Sequence, residues 1–300
     1  MKVTIGLPFF NNQSTLADAI RSVFAQTERD WELILLDDGS TDNSAAVAAC
    51  VRDPRVRFVK GGENRGLAVR LNQIAATANG RYLARLDGDD MMHPQRLARQ
   101  IEILESQPGT DLVGTAMYSL DSADRPRGMR GLTPPDARPA SVLRRALLLH
   151  ATITGRAAWF RRNPYSERCH RSEDRELYLR TFRSSSFVQL PEPLYFCREE
   201  FSVRLDKYLA SCREDRSLFL EYGPQLVGPA RTAALWLMSV LKGEVYRVCT
   251  SLRAERFLVR RRNTPLTDQQ SDAAMEALSR VQTTAVPGFQ PADKFTCVAC

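Results

Sequence analysis

Apolar positions in the first hundred residues switch between two periods. Val3, Ile5 and Leu7 alternate up to Pro8, the period of a strand. Leu16, Ile20, Val23 and Phe24 then recur at helical spacing, which predicts a helix capped by Asn12 or Ser14. Leu33-Ile34-Leu35-Leu36 is a continuous apolar run, as expected of a strand covered on both faces, and Asp37-Asp38-Gly39 ends it. Residues 45–51 predict the next helix, with Asp42 as its cap, and residues 56–59 a short strand. Leu67, Leu71, Ile74 and Ala75 mark a further helix that Asn79-Gly80 closes. A strand over 82–86 and a helix over 94–104 complete the series. This β-α-β-α order predicts an α/β fold with a mostly parallel sheet and helices on both faces.

Beyond a strand at 111–118 the pattern loosens. Residues 121–140 carry Asp121, Asp124, Pro126, Gly128, Gly131, Pro134, Pro135 and Pro139, and read as a mobile loop of the kind that often serves a site. Residues 141–149 read as helical, 151–161 as one or two strands, 172–182 as a helix, and 187–190 and 194–196 as short strands. From residue 206 the signal is helical, over 206–222, 229–241, 244–262 and 268–281. Two regions follow: a domain at 1–205 and a helical C-terminal region at 206–300 with a flexible tail.

Composition is that of an ordinary globular chain, 43% hydrophobic and 26% charged. No apolar run approaches the ~18–20 residues of a membrane span, and the N-terminus enters a strand without a signal-peptide layout, so a cytoplasmic location is expected. The seven cysteines are then expected to be thiols, and the lone Cys297/Cys300 pair lacks the second pair or histidine of a zinc site. The formal charge of +7 is concentrated: residues 229–262 hold eight Lys/Arg against two acids. A basic segment of this kind suits surface docking. Nucleic acid is not expected as a partner, because no aromatics are interleaved along a basic groove.

Candidate chemistry sits at three predicted strand ends: Pro8-Phe9-Phe10-Asn11, Asp37-Asp38-Gly39 and Asp87-Gly88-Asp89-Asp90. In an open α/β sheet, ligands bind outside the carboxyl ends of the strands. Three carboxylates within four residues repel one another unless a cation lies between them, and a divalent ion with oxygen ligands would also take phosphate. An acidic turn that caps the next helix is the alternative for any one of these pieces.

Taken together, Ile5-Gly6-Leu7-Pro8-Phe9-Phe10-Asn11-Asn12, Ser22-Val23-Phe24-Ala25-Gln26-Thr27, Asp37-Asp38-Gly39-Ser40-Thr41-Asp42, Asn64-Arg65-Gly66, Leu71-Asn72 and Leu86-Asp87-Gly88-Asp89-Asp90 resemble the family 2 nucleotide-sugar glycosyltransferases of GT-A (Rossmann-like) fold. The match is dense over 1–105 and thinner over 150–205. It implies an inverting transfer of a sugar from a nucleotide-diphosphate donor, a UDP-sugar, to a hydroxyl in polysaccharide or glycan assembly. It further implies Asp38 at the base edge beside Pro8 and Phe9, Arg65 or Arg70 at the nucleotide, Asp87 near ribose and metal, and Asp89 as the principal ligand of Mn²⁺ or Mg²⁺. Ser172-Glu173-Asp174 resembles the family's "ED" segment, whose Asp, here Asp174, is the expected general base. Ser172 and Glu173 can also serve as a helix start. His150 is implied near the donor diphosphate or the acceptor, and His93 reads as a turn residue. Tyr195-Phe196-Cys197-Arg198, followed by Ser202 and Arg204, resembles the family's closing element, and Arg198 or Arg204 is implied as a diphosphate contact. The spacing of 153–158 departs from the family's pattern on the acceptor side.

Residues 229–262 interleave Leu235, Trp236, Leu237, Val240, Leu241, Val245 and Val248 with arginines, as a basic amphipathic helix on an anionic membrane would. A peripheral position on the inner face of the membrane and a lipid-linked glycan acceptor are the corresponding expectations; packing on the core or in a homo-oligomer is the alternative. Rival functions are a nucleotidyltransferase on a related fold and a catalytically silent nucleotide-binding scaffold. The first would want a Gly-rich, Lys-containing phosphate loop after the first strand, which residues 8–14 lack.

Overall fold

A computed structural model describes residues 1–199, 205–251 and 263–289. Its elements run β1 (Val3–Phe9), α1 (Leu16–Phe24), β2 (Trp31–Asp37), α2 (Ser44–Ala49), β3 (Val56–Lys60), α3 (Leu67–Thr77), β4 (Tyr82–Arg85), β5 (Met91–Met92) and α4 (Arg96–Ser106). Then come β6 (Leu112–Leu120), β7 (Pro126–Arg130), α5 (Pro139–Val142), a 3₁₀ turn (His150–Thr152), β8 (Thr154–Arg156), α6 (Ala157–Arg162), α7 (Glu173–Thr181) and β9 (Phe187–Arg198). The helices α8 (Leu205–Val227), α9 (Pro229–Ser251) and α10 (Asp268–Gln282) follow.

One sheet runs in the order β3-β2-β1-β4-β8-β6-β9-β5, with β7 paired to β6. β3, β2, β1 and β4 are parallel, as expected, and β6 pairs in parallel with β9. β8 is antiparallel to both its neighbours, and β5 and β7 are also antiparallel. Every residue of β1 and β2 is buried, which explains the unbroken apolar run. Alternation then sorts the side chains: Leu33 and Leu35 join the core under α1 and α4, while Ile34 and Leu36 join the one under α3 and α6. Each such buried aliphatic side chain contributes about 1.5–3 kcal/mol.

Glu32 is the polar exception within β2. Its carboxylate accepts the Thr4 hydroxyl at 2.5 Å, the Asn79 N–H at 2.7 Å and the Asn79 side-chain amide at 2.9 Å. The Thr4 hydroxyl in turn accepts the Gly80 N–H, so one carboxylate holds the entry of β4 against β1 and β2.

The second half departs from expectation in several places. The loop at 121–140 contains β7, because the Asp121 carboxylate accepts the Ala123 and Arg125 N–H groups and turns the chain back antiparallel to β6. Of the expected helix at 141–149 only residues 141–142 are α-helical, as the end of the short α5. Residues 157–162 form α6 and not a strand, which sets Trp159 and Phe160 into the core with helical spacing. The two short strands at 187–196 are one strand, β9, whose register against β6 shifts near Thr115 and Ala116. α9 runs unbroken through Gly243, where a break was expected, since Gly243 is buried on the α8 side. Thr15, not Asn12 or Ser14, stands at the N-cap of α1, and the Asn12 side chain turns back to accept the Phe10 N–H. Asp42 does hold the start of α2, accepting the Ser44 N–H at 2.9 Å. Cys169, Cys197, Cys212 and Cys249 are free thiols, but Cys50 is disulfide-bonded, against the all-thiol expectation. Ser202, Arg204, the basic segment at 252–262 and the Cys297/Cys300 pair lie outside the described residues.

α10 packs on the far end of the sheet. Ala274, Leu278 and Val281 are buried with Met91 of β5, Tyr118 and Leu120 of β6, Met129 of β7 and Phe196 of β9.

Burial pushes the Glu32 carboxyl up, but the Thr4 and Asn79 bonds outweigh it and hold the group below the usual glutamate range. A depressed folded pKa means stability that is present above the unfolded pKa and lost as pH falls through the folded value. Glu32→Gln is therefore expected to cost about 1–3 kcal/mol at neutral pH, with the gap to the parent narrowing below about pH 4. Urea unfolding of both proteins at pH 7 and pH 3.5 checks this, and a gap unchanged between the two contradicts it.

Candidate active site

The carboxyl ends of β1, β2 and β4 lie side by side, and the turns after them are fastened to one another. The Asp38 N–H donates to the Phe9 carbonyl at 2.8 Å. Asn11, in the left-handed region at φ 54°, accepts the Thr41 N–H on its side chain, and its own N–H donates to Ser40 Oγ. A Cβ at Gly88 would come within 2.8 Å of Asn12 Oδ1 and 2.9 Å of Phe9 Cβ. Glycine there lets the acidic turn after β4 close onto the turn after β1.

Asp38 is buried. Its Oδ1 accepts the Arg65 N–H at 2.8 Å and Arg70 Nε at 2.6 Å, and its Oδ2 accepts the Gly66 N–H at 2.9 Å. Arg70 also donates to the Gly61 and Glu63 carbonyls and to Gln73, so it staples the 61–66 loop. The Arg65 side chain is exposed at the rim. Pro8 and Phe9 belong to β1, and the Phe9 ring stacks on Phe58 in the core, 2% exposed. Phe10, 43% exposed, is the aromatic ring open to the cleft at this turn.

Asp87, Asp89 and Asp90 place one carboxylate oxygen each within 4.8 Å of one another. Arg85, buried beneath them, grips Asp87 with two bonds of 2.8 and 2.9 Å. Burial alone would lower the Arg85 pKa, but the Asp87 charge outweighs it and keeps the guanidinium firmly charged. Asp90 is buried; its Oδ1 accepts the Arg198 N–H at 2.9 Å, and Tyr195 bonds it as well. Burial, then the charges of Asp89 and Asp87, push Asp90 well above the usual carboxylate range. Asp89 is open to solvent on one side, yet enclosure on the others, followed by the Asp87 charge, raises it too. Three crowded oxygens short of positive charge are a donor set that fits a hard divalent cation.

His150, Tyr165, Glu173 and Asp174 lie near the Arg85–Asp87 pair. His150 Nε2 is 2.9 Å from the Tyr165 hydroxyl, and Nδ1 is 3.8 Å from Glu173. Burial, then Arg85, hold the His150 pKa well below its ordinary value, so the imidazole is neutral. A carboxylate on the Nδ1 side favours the Nδ1–H tautomer, with Tyr165 donating to Nε2. Asn72 brackets the Tyr165 backbone with two bonds, which fixes the phenol. Asp174, half-buried in the first turn of α7, accepts the Arg175 N–H at 2.8 Å, and burial raises its pKa. Glu173 is buried with Oε2 unpartnered, and burial, then Asp174, raise it as well.

Helix α8 holds this segment from behind. Glu214 accepts the N–H groups of Arg171 and Ser172 at 2.9 and 3.0 Å, and Asp215 binds Ser172 Oγ and Arg175. Sequence reasoning missed Glu214, Asp215, Tyr165 and Asp124, because nothing in their local spacing signals a partner dozens of residues away. Arg198, expected at the diphosphate, donates here to Asp124, Asp18 and the Asp89 carbonyl. His93 is a turn residue as expected: its Nδ1 accepts the Gln95 N–H, and burial lowers its pKa to about 4.

With this geometry established, similarity to known proteins is informative. The family described as Glycosyl transferase family 2 matches residues 4–169. EpsE of Bacillus subtilis (strain 168), named as a glycosyltransferase, is 35% identical over 208 residues, covering 66% of this chain and 73% of EpsE. The succinoglycan biosynthesis protein ExoO of Rhizobium meliloti (strain 1021) is 39% identical over 100 residues, 33% of this chain and 29% of ExoO. Among solved structures, TarS 1–349 of S. aureus in complex with UDP-GlcNAc superposes with a TM-score of 0.62 at 14% identity, covering 95% of this chain and 90% of that one. The mannosyltransferase PcManGT of Pyrobaculum calidifontis, in complex with GDP-Man and Mn²⁺, gives 0.56 at 15% identity, with 96% and 77% covered. The structural likenesses confirm the GT-A architecture. The match over more than half of the chain, seated on the three fastened strand ends, makes this protein a glycosyltransferase of family 2.

Proposed function

We propose that the chain moves a sugar from a nucleotide-diphosphate donor, a UDP-sugar, to a hydroxyl of a growing glycan, with inversion at the anomeric carbon. The observation that supports the reading is the Asp87–Asp89–Asp90 cluster after β4, with Asp38 after the nearby strand β2 and Asp174 within the field of Arg85, which grips Asp87. The UDP-GlcNAc bound to TarS and the GDP-Man bound to PcManGT support a nucleotide-sugar donor. The naming of ExoO for succinoglycan biosynthesis supports a glycan acceptor.

In this reading Asp38 and the turn that follows Pro8 and Phe9 receive the base, Arg65 lies at the rim of the nucleotide, and Phe10 is the ring available to it. Asp89, with Asp87 and Asp90, would hold Mn²⁺ or Mg²⁺. When bound, the ion supplies charge neutralisation for the departing diphosphate. Asp174 takes the proton of the acceptor hydroxyl as its oxygen bonds to the anomeric carbon and the bond from that carbon to the diphosphate oxygen breaks. The upward push on the Asp174 pKa strengthens it as a base. Neutral His150, with Nε2 accepting from Tyr165 and Nδ1 facing Glu173, orients those two side chains without adding charge. Residues 1–205 would carry the chemistry, with the later helices supporting it.

The α8–α9 hairpin has a separate role in this reading. Among the described residues no helix is long and apolar enough to cross a membrane. Yet α9 exposes Leu237, Met238, Leu241, Val245 and Val248, each at least half open to solvent, along about 16 Å of one face. Lys242 and Arg247 flank that stripe, and the sequence that follows adds Arg253, Arg256, Arg260, Arg261 and Arg262. An anionic lipid surface is the occupant that this combination fits.

Asp89→Asn is expected to abolish Mn²⁺-dependent release of UDP from a UDP-sugar while leaving the thermal midpoint within a few degrees; an active variant would remove the cation from Asp89. Asp174→Asn is expected to slow transfer by about 10²–10⁴-fold with donor affinity unchanged. Full transfer activity in that variant would move the base elsewhere. On vesicles containing phosphatidylserine, the parent chain is expected to co-sediment and a Leu237→Asp/Leu241→Asp variant to stay in solution. Equal behaviour of the two, or loss of a dimer in place of vesicle binding, rules out the lipid surface.

A further inference from the structure

Arg198 ends β9 and touches the acidic turn at two points. Its N–H donates to Asp90 Oδ1 at 2.9 Å, and Nη1 donates to the Asp89 carbonyl at 3.1 Å. Its remaining donors are taken from behind. Nε and Nη2 bind the two Asp124 oxygens at 2.6 and 2.8 Å, and Nη2 also reaches Asp18 of α1 at 2.9 Å. Asp124 sits in the left-handed region at φ 55°, in the turn between β6 and β7. Its Oδ2 further accepts Gln282 Nε2, at the end of α10, at 2.9 Å. A continuous polar chain therefore runs from the last helix through Asp124 and Arg198 to the backbone and side chain of the Asp89–Asp90 pair.

We propose that Arg198 is a positioning residue for the cation site, and that Asp124 and, through it, Gln282 of α10 set how tightly the acidic turn holds a divalent ion. The inference rests on the reading of Asp87, Asp89 and Asp90 as the cation's ligands. Its physical ground is the geometry of the guanidinium. A planar fork locked on a carboxylate on one side has a fixed outlook on the other, so it can hold the Asp89 carbonyl and leave that residue's carboxylate directed at the cleft. Asp124 and Asp18 share the charge of Arg198, with Asp18 also paired to Arg21 at 2.8 Å. Arg198 therefore only partly offsets the acidic turn, and Asp89 stays raised despite it. An arginine meant to swing onto a diphosphate would have to abandon all of these partners at once.

Outer groups that orient metal ligands typically change metal affinity by about 10–100-fold when removed. The test measures free Mn²⁺ by electron paramagnetic resonance in titrations of the full chain with UDP present, and UDP affinity by calorimetry with EDTA. Arg198→Met is expected to weaken Mn²⁺ binding by about 10–100-fold, Arg198→Lys by less, and UDP affinity without the ion is expected to hold. Gln282→Met removes a single remote bond and keeps Arg198, so it folds even if Arg198→Met does not. It is expected to weaken Mn²⁺ binding about threefold with an unchanged thermal midpoint, within the reach of one hydrogen bond. Unchanged Mn²⁺ affinity in the variants overturns the proposal, and loss of cation-free UDP affinity in Arg198→Met makes Arg198 a diphosphate contact instead. A parent chain that binds UDP but no Mn²⁺ overturns the cation reading itself, a result distinguishable from the others because it needs no variant.

Discussion

Like charges crowded at the end of a buried strand are the constraint around which this protein is arranged. Two carboxylates about 4 Å apart at a partly solvated surface repel by roughly 4 kcal/mol, and here there are three. Arg85 answers one of them from below, through its two bonds to Asp87. Arg198 is spent on other acids, so Asp89 and Asp90 retain raised affinities for protons. The fold tolerates that stress because the turns on either side are tied down. Asp38 anchors the 61–66 loop, the Asn11 and Ser40–Ser44 groups interlock, and Gly88 lets the backbone close against Phe9 and Asn12. A site built this way is preorganised before any ligand arrives.

The first hundred residues were legible because their information is local. A strand buried on both faces must be apolar throughout, and a helix laid on it must be apolar every third or fourth residue. Both patterns are written in Leu33-Ile34-Leu35-Leu36 and in Leu16, Ile20 and Val23. The acids follow the strands directly, so their meeting place could be read from the topology rule alone. The second half was less readable for a physical reason. β7 and β8 are short and owe their existence to β6, a partner distant in sequence from β8, and the register of β9 bends around irregularities that no periodicity announces. Trp159 and Phe160 were mistaken for strand residues because two adjacent bulky side chains satisfy either period over so short a span.

The same division holds within the site. Asp38, Asp87 and Asp89 stood out as motif residues, and both His150 and Asp174 lie within the field of Arg85. What sequence could not convey is which donors are already occupied. Arg198 and Arg70 look from their types like ligand contacts, yet protein acceptors already hold most of their N–H donors. Phe9 looks like a stacking platform, but alternation along β1 sends its ring inward and leaves Phe10 outside. Occupancy is a property of three-dimensional neighbours, and a one-dimensional pattern carries little of it.

The position of the last helix has a bearing on biosynthesis. Met91, Tyr118, Leu120 and Phe196 are shielded by Leu278 and Val281, which leave the ribosome long after the strands they cover. Chains generally fold from the N-terminal end as they are made. A partly synthesised molecule therefore presents a sticky apolar face beside its acidic turn until α10 arrives to cover it.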